Sequence, residues 1–318
     1  MKEIKGQSTD PARKLTAALS EALSLIENGW RVPDSSTPPI TPQPGLLQQC
    51  LAMCEEHSAI AREPIRTVHH FACSGGTLIS RCIAAMPNVQ LLSEIDPLSK
   101  LMLDPRQPRF APTDPVTLLR QGPRNVDTAL VLKVFAEELR IIYEECAAIG
   151  QHLVLRDHSH SQFCTGDGVE SRPTLRELVL QKHPVVSLVT VRHPIDSYAS
   201  LVENGWVHFQ PDSFEEYCNR YSAFLERYAG VPRIQYESFV EDPIQCMAGI
   251  CQTLGLPFNP DFRDVYDAIN LTGNSGRRGL SIEARTRRQA AERLAKEARS
   301  LPAYIMLCSK MDYLPSVA

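Results

Sequence analysis

The sequence predicts an α/β fold in which helices flank a parallel β-sheet, and two observations support this. Five short runs rich in valine, leucine and isoleucine fit buried strands, at residues 66–73, 88–93, 152–156, 185–191 and 233–236. Helical patterns lie between them, at residues 77–86, 127–148, 173–182, 195–204 and 213–228. Apolar strands that alternate with helices along a chain are typical of parallel sheets with both faces covered.

The first 62 residues are predicted to form a helical extension that precedes the α/β domain of residues 63–318. Helical patterns cover residues 12–29 and 45–60, and the stretch between them contains five prolines, which are incompatible with a helix interior. A second proline-rich stretch, 104–125, interrupts the α/β alternation. We expect it to be a surface loop or lid that shapes an acceptor site.

The composition and charge of the sequence argue against several classes of protein. The formal net charge of -4 argues against a protein that coats nucleic acid, so any anion site must be local. No apolar run approaches the roughly 20 residues of a membrane span, and the N-terminus lacks the apolar core of a secretory signal. The ten cysteines include no Cys-x-x-Cys pair, which predicts reduced, mostly buried thiols and no structural zinc. The sequence therefore predicts a cytoplasmic protein.

The turn Ser74-Gly75-Gly76-Thr77 follows the first predicted strand and precedes a helix. Such a turn leaves backbone N–H groups unpaired at the positive end of the helix dipole, where phosphates bind. A loop that binds ATP or GTP needs a Gly-Lys pair before the serine or threonine, whereas Gly76 is followed directly by Thr77. By itself the turn also fits an ordinary helix start.

Other predicted strand ends carry polar groups, and ligands of open parallel sheets bind beyond these ends. Arg192 follows strand 185–191, with Ser200 eight residues later, so the two could close on a phosphate from two sides. Arg192 could instead pair with an acidic helix face. Glu94 follows the second strand, and a segment with Arg156 and His158 follows the third.

Taken in order, these segments resemble the sulfotransferases that use 3'-phosphoadenosine 5'-phosphosulfate (PAPS). Ser74-Gly75-Gly76-Thr77-Leu78 is similar to the first motif of that family, which holds the 5'-phosphosulfate. The resemblance implies a P-loop-NTPase-like sulfotransferase fold, PAPS as co-substrate and adenosine 3',5'-bisphosphate (PAP) as product. It implies no metal.

Three later segments extend the resemblance. Arg192 and Ser200 match the second motif of the family, which grips the 3'-phosphate. Arg277, Arg278 and Gly279 resemble its late basic-glycine segment, which contacts the same phosphate. The stretch 236–257 resembles the Tyr-Glu, Asp-Pro and Leu-Gly-Leu-Pro elements, so the likeness covers about residues 66–280 in the family's order.

One position departs from the family pattern. The family usually has Lys or Arg directly before the Ser-Gly of its first motif, where it stabilises the leaving phosphate, and this sequence has Cys73. Arg156 is the nearest candidate to take that role. If no other cation takes that role, catalysis is weakened. Cys73 itself is expected to be a buried thiol at the end of a strand and not a catalytic cysteine.

Two residues compete as the general base that the reaction requires. Arg156-Asp157-His158 resembles the Lys-x-His of sulfotransferases that act on phenols and steroids, which implies His158. Glu94 lies twenty residues after Ser74, a spacing similar to that of the tyrosylprotein and some carbohydrate sulfotransferases. Either residue could also be structural, as a salt-bridge partner or a hydrogen-bonded imidazole.

Other groups of residues give weaker signals. His69 and His70 are neighbours on a strand and face opposite ways, which argues against a shared metal site. The basic segment 281–301 fits a solvated helix with a Glu292–Lys296 pair. Residues 206–209 contain Trp206, His208 and Phe209, which could line an acceptor cleft or pack in the core.

The sequence therefore predicts a PAPS-dependent sulfotransferase that acts on a hydroxyl or amine of a small-molecule or glycan acceptor. Its expected catalytic residues are Glu94, His158 and Arg156. An inactive nucleotide-binding or scaffold protein of the same fold is the alternative, motivated by Cys73. A small-molecule kinase of the P-loop class fits less well, and no oligomeric state is predicted.

Overall fold

The computed structural model describes residues 18–24, 45, 46, 49, 63–101, 111–272, 282–284 and 287–315. The chain divides into two compact units, residues 1–60 and 61–318. In the first unit, residues 18–24 are helical. Most of the predicted N-terminal extension lies outside the described residues.

A five-stranded parallel sheet forms the centre of the second unit, in the order β2-β3-β1-β5-β7. The strands, numbered along the chain, are β1 (Ile65–His70), β2 (Val89–Ile95), β3 (His152–Asp157), β4 (Thr165–Gly166), β5 (Val185–Val191), β6 (His208–Phe209) and β7 (Arg233–Gln235). Strand β1 lies in the middle and pairs with β5 over six residues, from Ile65 opposite Val185 to His70 opposite Thr190. Strands β4 and β6 form a separate parallel pair. The predicted α/β fold with a parallel sheet is confirmed.

Helices connect the strands and cover the sheet. In chain order they are α1 (Gly76–Ala84), α2 (Pro115–Arg120), α3 (Thr128–Ala148), α4 (His160–Phe163), α5 (Leu175–Leu180), α6 (Pro194–Glu203), α7 (Phe214–Arg227), α8 (Tyr236–Glu241), α9 (Pro243–Leu254), α10 (Phe262–Val265), α11 (Gln289–Ala298) and α12 (Pro302–Lys310). Helix α2 lies within the stretch predicted as a loop or lid, because Asp114 caps its first turn and a proline follows. Within the described chain, no helix is both long and apolar enough to cross a bilayer.

Side chains on opposite faces of the sheet pack into separate clusters. On one face, Val68 and Leu188 pack with Ile79 of α1 and Ile250 of α9. Another cluster contains the aromatic residues of α7, with the ring of Tyr221 stacked on Phe71 at 4.3 Å between centroids. Full burial of one large apolar side chain contributes roughly 1.5–3 kcal/mol. This packing fixes the interior of β1 and the residue after its carboxyl end, from which the turn starts.

Strand β3 places consecutive residues on opposite faces of the sheet, as its pleat requires. The Asp157 carboxylate is buried, and it accepts hydrogen bonds from His69 Nδ1 at 2.7 Å, Tyr228 Oη at 2.7 Å and Ser159 Oγ at 3.0 Å. Burial alone would raise the pKa of Asp157, but these bonds, first of all that from His69, bring the pKa below its ordinary value. Arg156, the preceding residue, points to the other side.

The buried guanidinium of Arg220 stabilises the pair of strands β4 and β6. The Arg220 side chain is fully buried, donates to the carbonyl oxygens of Thr165 at 2.9 Å and Gly166 at 2.9 Å, and pairs with Glu216 at 2.6 Å. Its guanidinium also lies over the ring of Phe209, 4.9 Å from the centroid. Phe209 is therefore a core residue, which agrees with core packing, one of the two alternatives that the sequence left open for it.

Candidate functional site

The turn after β1 has a backbone that only small residues permit. The Ser74 hydroxyl is buried and donates to the carbonyl oxygen of Phe71 at 2.8 Å, so it shapes the turn from below. Gly75 has a φ of 85°, in the left-handed region, and a Cβ there would lie 2.2 Å from the ring of Tyr236. Leu78, two residues into α1, is buried in the core and anchors the helix.

The first turn of α1 presents unpaired donors. The N–H groups of Leu78 and Ile79 donate to the carbonyl oxygen of Gly75, at 3.1 and 3.2 Å. Those of Gly75, Gly76 and Thr77 have no acceptor among the residues that the structure describes. They lie at the positive end of a helix that begins at Gly76. This arrangement suits an anion.

The guanidinium of Arg156 connects this turn to the neighbouring strands. Its Nη2 donates to Thr77 Oγ1 at 2.8 Å and to His70 Nε2 at 3.1 Å, and its Nη1 donates to Ser93 Oγ at 2.9 Å and to the carbonyl oxygen of Thr272 at 2.8 Å. Burial lowers the pKa of Arg156 to about 10, which leaves the group charged at neutral pH.

The tautomer of His70 follows from this contact. Arginine has no acceptor atom, so His70 Nε2 must accept and the ring proton must lie on Nδ1. Burial, followed by the charge of Arg156, lowers the pKa of His70 well below its ordinary value, which agrees with a neutral ring. His70 Nδ1 is buried and has no hydrogen-bond partner.

Glu94 lies beside Arg156 on an irregular part of β2. The register between β2 and β3 shifts between Leu92 and Ile95, and Glu94 has a φ of 58°, which is rare for a residue with a side chain. Bulges of this kind redirect side chains and occur next to active sites. Glu94 Oε1 lies 3.3 Å from Arg156 Nη2, and 26% of its side chain is exposed. The structure therefore brings Glu94, Arg156 and Thr77 together at one edge of the sheet.

His158 is at the same edge, one residue beyond β3. Its N–H donates to the carbonyl oxygen of Ile95 at 3.2 Å, and its ring is stacked on His160 with 6.3 Å between centroids. His160 in turn lies 5.6 Å from His208. Burial, with smaller effects from His158 and His208, lowers the pKa of His160 to about 3. In the described part of the chain, no group of three His, Cys, Asp or Glu side chains could hold a metal ion.

Arg192 and Ser200 lie on the other side of the turn. The Arg192 guanidinium is over the ring of Tyr236, 4.8 Å from the centroid, and its Nη1 donates to the carbonyl oxygen of Cys73 at 3.2 Å. Arg192 Nε is buried and has no hydrogen-bond partner. The sequence analysis identified residues 236–257 as part of the resemblance but did not predict that Tyr236 contacts Arg192.

Cys73 is a neutral thiol at this junction. Burial raises its pKa to about 11, although hydrogen bonds from Ser200 and Asn204 to its sulfur lower the pKa in part. The φ of Cys73 is 59°, so the chain turns sharply between β1 and α1. The thiol contributes no positive charge to the turn.

Part of the predicted nucleotide site cannot be placed. Arg277, Arg278 and Gly279 lie outside the described residues. Thr272, the last described residue before them, accepts the hydrogen bond from Arg156 and donates from Oγ1 to the carbonyl oxygen of Ser93 at 3.2 Å.

The basic segment after residue 281 is held to α6 more closely than a solvated helix would be. Arg287 donates to both carboxylate oxygens of Asp196, at 3.0 and 2.7 Å, and Arg288 pairs with Glu203. Three alanines of α11 are buried. The predicted pair of Glu292 and Lys296 does not form within the described chain, because α11 is oriented by its buried face and by the two preceding arginines.

A cleft of about 540 Å³ opens beside the carboxyl end of β2. Ile95 and Asp96 of its lining directly follow Glu94, and Phe135 of α3 forms part of its apolar wall. Arg120 lies in the same lining, and its Nη1 donates to the carbonyl oxygen of Pro97 at 3.2 Å. The cleft is large enough for part of a small organic molecule.

Comparisons with known proteins agree on a family. The model of the sulfotransferase family matches residues 71–260. Among solved structures, the sulfotransferase domain of a Synechococcus olefin synthase shares 16% identity, with 80% of this chain and 96% of that chain covered and a TM-score of 0.47. A Mycobacterium tuberculosis sulfotransferase shares 16% identity over 69% of this chain and 75% of its own, with a TM-score of 0.40. A mouse sulfotransferase complexed with PAP shares 13% identity over 78% and 89%, with a TM-score of 0.36. No curated protein matches the sequence.

Proposed function

This chain belongs to the sulfotransferase family, and from that premise we propose that it transfers the sulfuryl group of PAPS to a hydroxyl or amine of an acceptor. One observation carries the proposal. The unpaired N–H groups of Gly75, Gly76 and Thr77 lie between two arginines, Arg156 on one side and Arg192 on the other. Two cationic positions that flank one anion-binding turn suit a nucleotide with phosphate groups at both ends of its ribose.

Each side of the turn would hold one end of the donor. The N–H groups of Gly76 and Thr77, with Arg156, would contact the 5'-phosphosulfate. Arg192, already oriented by the ring of Tyr236, would contact the 3'-phosphate together with Ser200. Arg277, Arg278 and Gly279 remain predicted partners of the 3'-phosphate.

The residues of the chain would also handle the proton that the acceptor loses. As the acceptor oxygen or nitrogen bonds to sulfur, the bond from sulfur to the 5'-phosphate oxygen breaks and PAP leaves with that electron pair. The acceptor proton would pass to a base, and Glu94 is supported by its bulged backbone and its place beside Arg156. His158 lies at the same edge and is the competing base. The cleft next to Glu94 would receive a small-molecule or glycan acceptor.

Cys73 supports the alternative of a weak enzyme or a nucleotide-binding scaffold. A neutral thiol stands where the family usually has a cation, so one source of charge for the leaving phosphate is missing. The kinase alternative has less support, because the turn lacks lysine and Arg192 is beside it.

Calorimetric titration with PAP, ADP and ATP tests the donor site without knowledge of the acceptor. We expect PAP to bind more tightly than either of the other nucleotides, and Arg192→Ala to abolish that preference. Arg140→Ala is the matched control, since Arg140 lies on an exposed face of α3 and, among the described residues, pairs only with Glu137 and Glu144. Preference for ATP would contradict the proposal. Turnover of PAPS with a panel of acceptors would then separate an enzyme from a scaffold.

A further inference from the structure

Position 73 holds a cysteine where the family usually has a lysine or arginine, so the turn lacks one positive charge. Burial keeps the Cys73 thiol neutral, so it brings no charge to the turn. Arg156 is the cation bonded to Thr77, but it is also bonded to His70, Ser93 and Thr272. A second cation near Thr77 would restore the charge that the family pattern leads one to expect.

Arg81 is placed to be that cation. It lies one helical turn after Thr77 on the same face of α1, since residues four apart are neighbours on a helix. Long side chains on a helix lean toward its N-terminus, so we expect the side chain of Arg81 to extend toward the turn that contains Thr77. Burial is the main reason why the pKa of Arg156 is lowered, and the charge of Arg81 adds a smaller effect in the same direction.

No acidic group compensates Arg81. Its Nε is buried without a hydrogen-bond partner, and no side chain in the described part of the chain forms an ion pair with its guanidinium. Glu94 pairs with Arg156, so the described part of the chain has one carboxylate for Arg156 and none for Arg81. Arg156 is buried and Arg81 is half-buried, so their like charges repel, and an anion bound between them would remove the penalty.

Other unpaired donors belong to residues that contact the turn or Arg156. Arg156 Nε and His70 Nδ1 are also buried and without hydrogen-bond partners. Buried nitrogens of this kind are rare in folded proteins and call for an explanation. Together with the open N–H groups of the turn, they outline a position that a strongly charged anion would fill.

We propose that Arg81 binds the 5'-phosphosulfate of the donor and supplies the positive charge that is missing at Cys73. The inference rests on the proposed function, because it names a further residue for the same donor site. Arg81 would contact the phosphosulfate from the helix side, opposite the place from which a cation at position 73 would reach it. It would have no contact with the 3'-phosphate.

Nucleotides that differ in one phosphate test this assignment in the full chain. The affinities of PAP and adenosine 3'-monophosphate would be measured by calorimetry, with competition against PAP for the weaker ligand. Arg81→Met should weaken PAP binding about 10- to 100-fold, the loss expected for a hydrogen-bonded charged group. It should leave the affinity for adenosine 3'-monophosphate unchanged. Arg192→Met should weaken both, and Arg140→Met should weaken neither.

A charge-restoring variant makes the test stricter. Cys73→Lys, combined with Arg81→Met, should recover most of the lost PAP affinity. Arg81→Lys alone should bind PAP with an affinity near that of the wild type. Equal losses for both nucleotides in Arg81→Met, or PAP affinity within a factor of two of the wild type, would overturn the assignment. If the wild-type chain binds no PAP, the proposed function fails and the assignment with it.

Discussion

Replacement of Gly76 by alanine is expected to displace the His70 ring and to weaken nucleotide binding. An ideal Cβ at position 76 would lie 2.3 Å from His70 Cγ, 2.4 Å from Cδ2 and 2.7 Å from Nδ1. Ordinary contact begins near 3.4 Å, so the ring or the helix would have to move by about 1 Å. Since Arg156 donates to His70 Nε2 at 3.1 Å, that movement would also release Arg156 from one of its partners.

The expected loss of stability in Gly76→Ala follows from the packing around position 76. Extra methyl groups forced into well-packed interiors typically cost about 1–3 kcal/mol. In a domain near this size, each kcal/mol lowers the melting temperature by roughly 2–4 °C. The gain in helix propensity from glycine to alanine, about 0.5–1 kcal/mol, offsets only part of this.

A second glycine in a helix provides the control. Gly249 lies within α9, and nothing is within 4 Å of a Cβ placed there. Gly249→Ala should therefore leave the melting temperature unchanged or raise it slightly. Thermal unfolding and PAP calorimetry would be performed on both variants. Equal melting temperatures and equal PAP affinities for Gly76→Ala and Gly249→Ala would refute the steric argument.

The remaining predictions concern the base and two buried charges. Glu94→Gln should lower the turnover of PAPS about 10²–10⁴-fold with PAP affinity retained; if it and His158→Gln both turn over at the wild-type rate, neither residue is the base. Arg220→Met should lower the free energy of unfolding by about 3 kcal/mol, because Glu216 and several carbonyl groups lose their partner; a loss under 1 kcal/mol in denaturant titrations would count against this. The pKa of Asp157 is lower in the folded than in the unfolded chain, so its stabilising effect is present above the ordinary value of 3.8 and is lost as the pH falls through the folded pKa. The free energy of unfolding of Asp157→Asn should therefore depend less on pH in the acid range than that of the wild type. The same pH dependence in both proteins would show that Asp157 does not stabilise the fold in this way.

The sheet could be predicted from the sequence because its strands are short apolar runs separated by helices. The predicted strand 185–191 matches β5, and the other four strands of the sheet lie within three residues of their predicted bounds. The sequence analysis does not predict helices α8 and α9. Their signals were present, since Asp242 caps α9, Pro243 follows, and Gly255 ends the helix with a φ of 61°.

The candidate site could be predicted only in part. The spacing of Ser74, Arg192 and Ser200 located segments that the structure does bring together around the turn. The hydrogen bonds of Arg156 could not be predicted, because they depend on β3 lying next to β1 and on Thr272, which is 116 residues away in sequence. Sequence patterns give the order of strands along the chain and not their order in the sheet.

The pairing of β1 with β5 has a consequence for how the site can open. The turn at residues 73–77 and Arg192 follow adjacent central strands, which share six registered pairs. Core strands lie at the high end of the range of local opening free energies, so we expect their amide hydrogens to exchange mainly through unfolding of the whole domain. The two halves of the site should therefore separate only when the domain unfolds, and occupancy by PAP at 100 times its dissociation constant should slow exchange throughout the sheet by about two orders of magnitude.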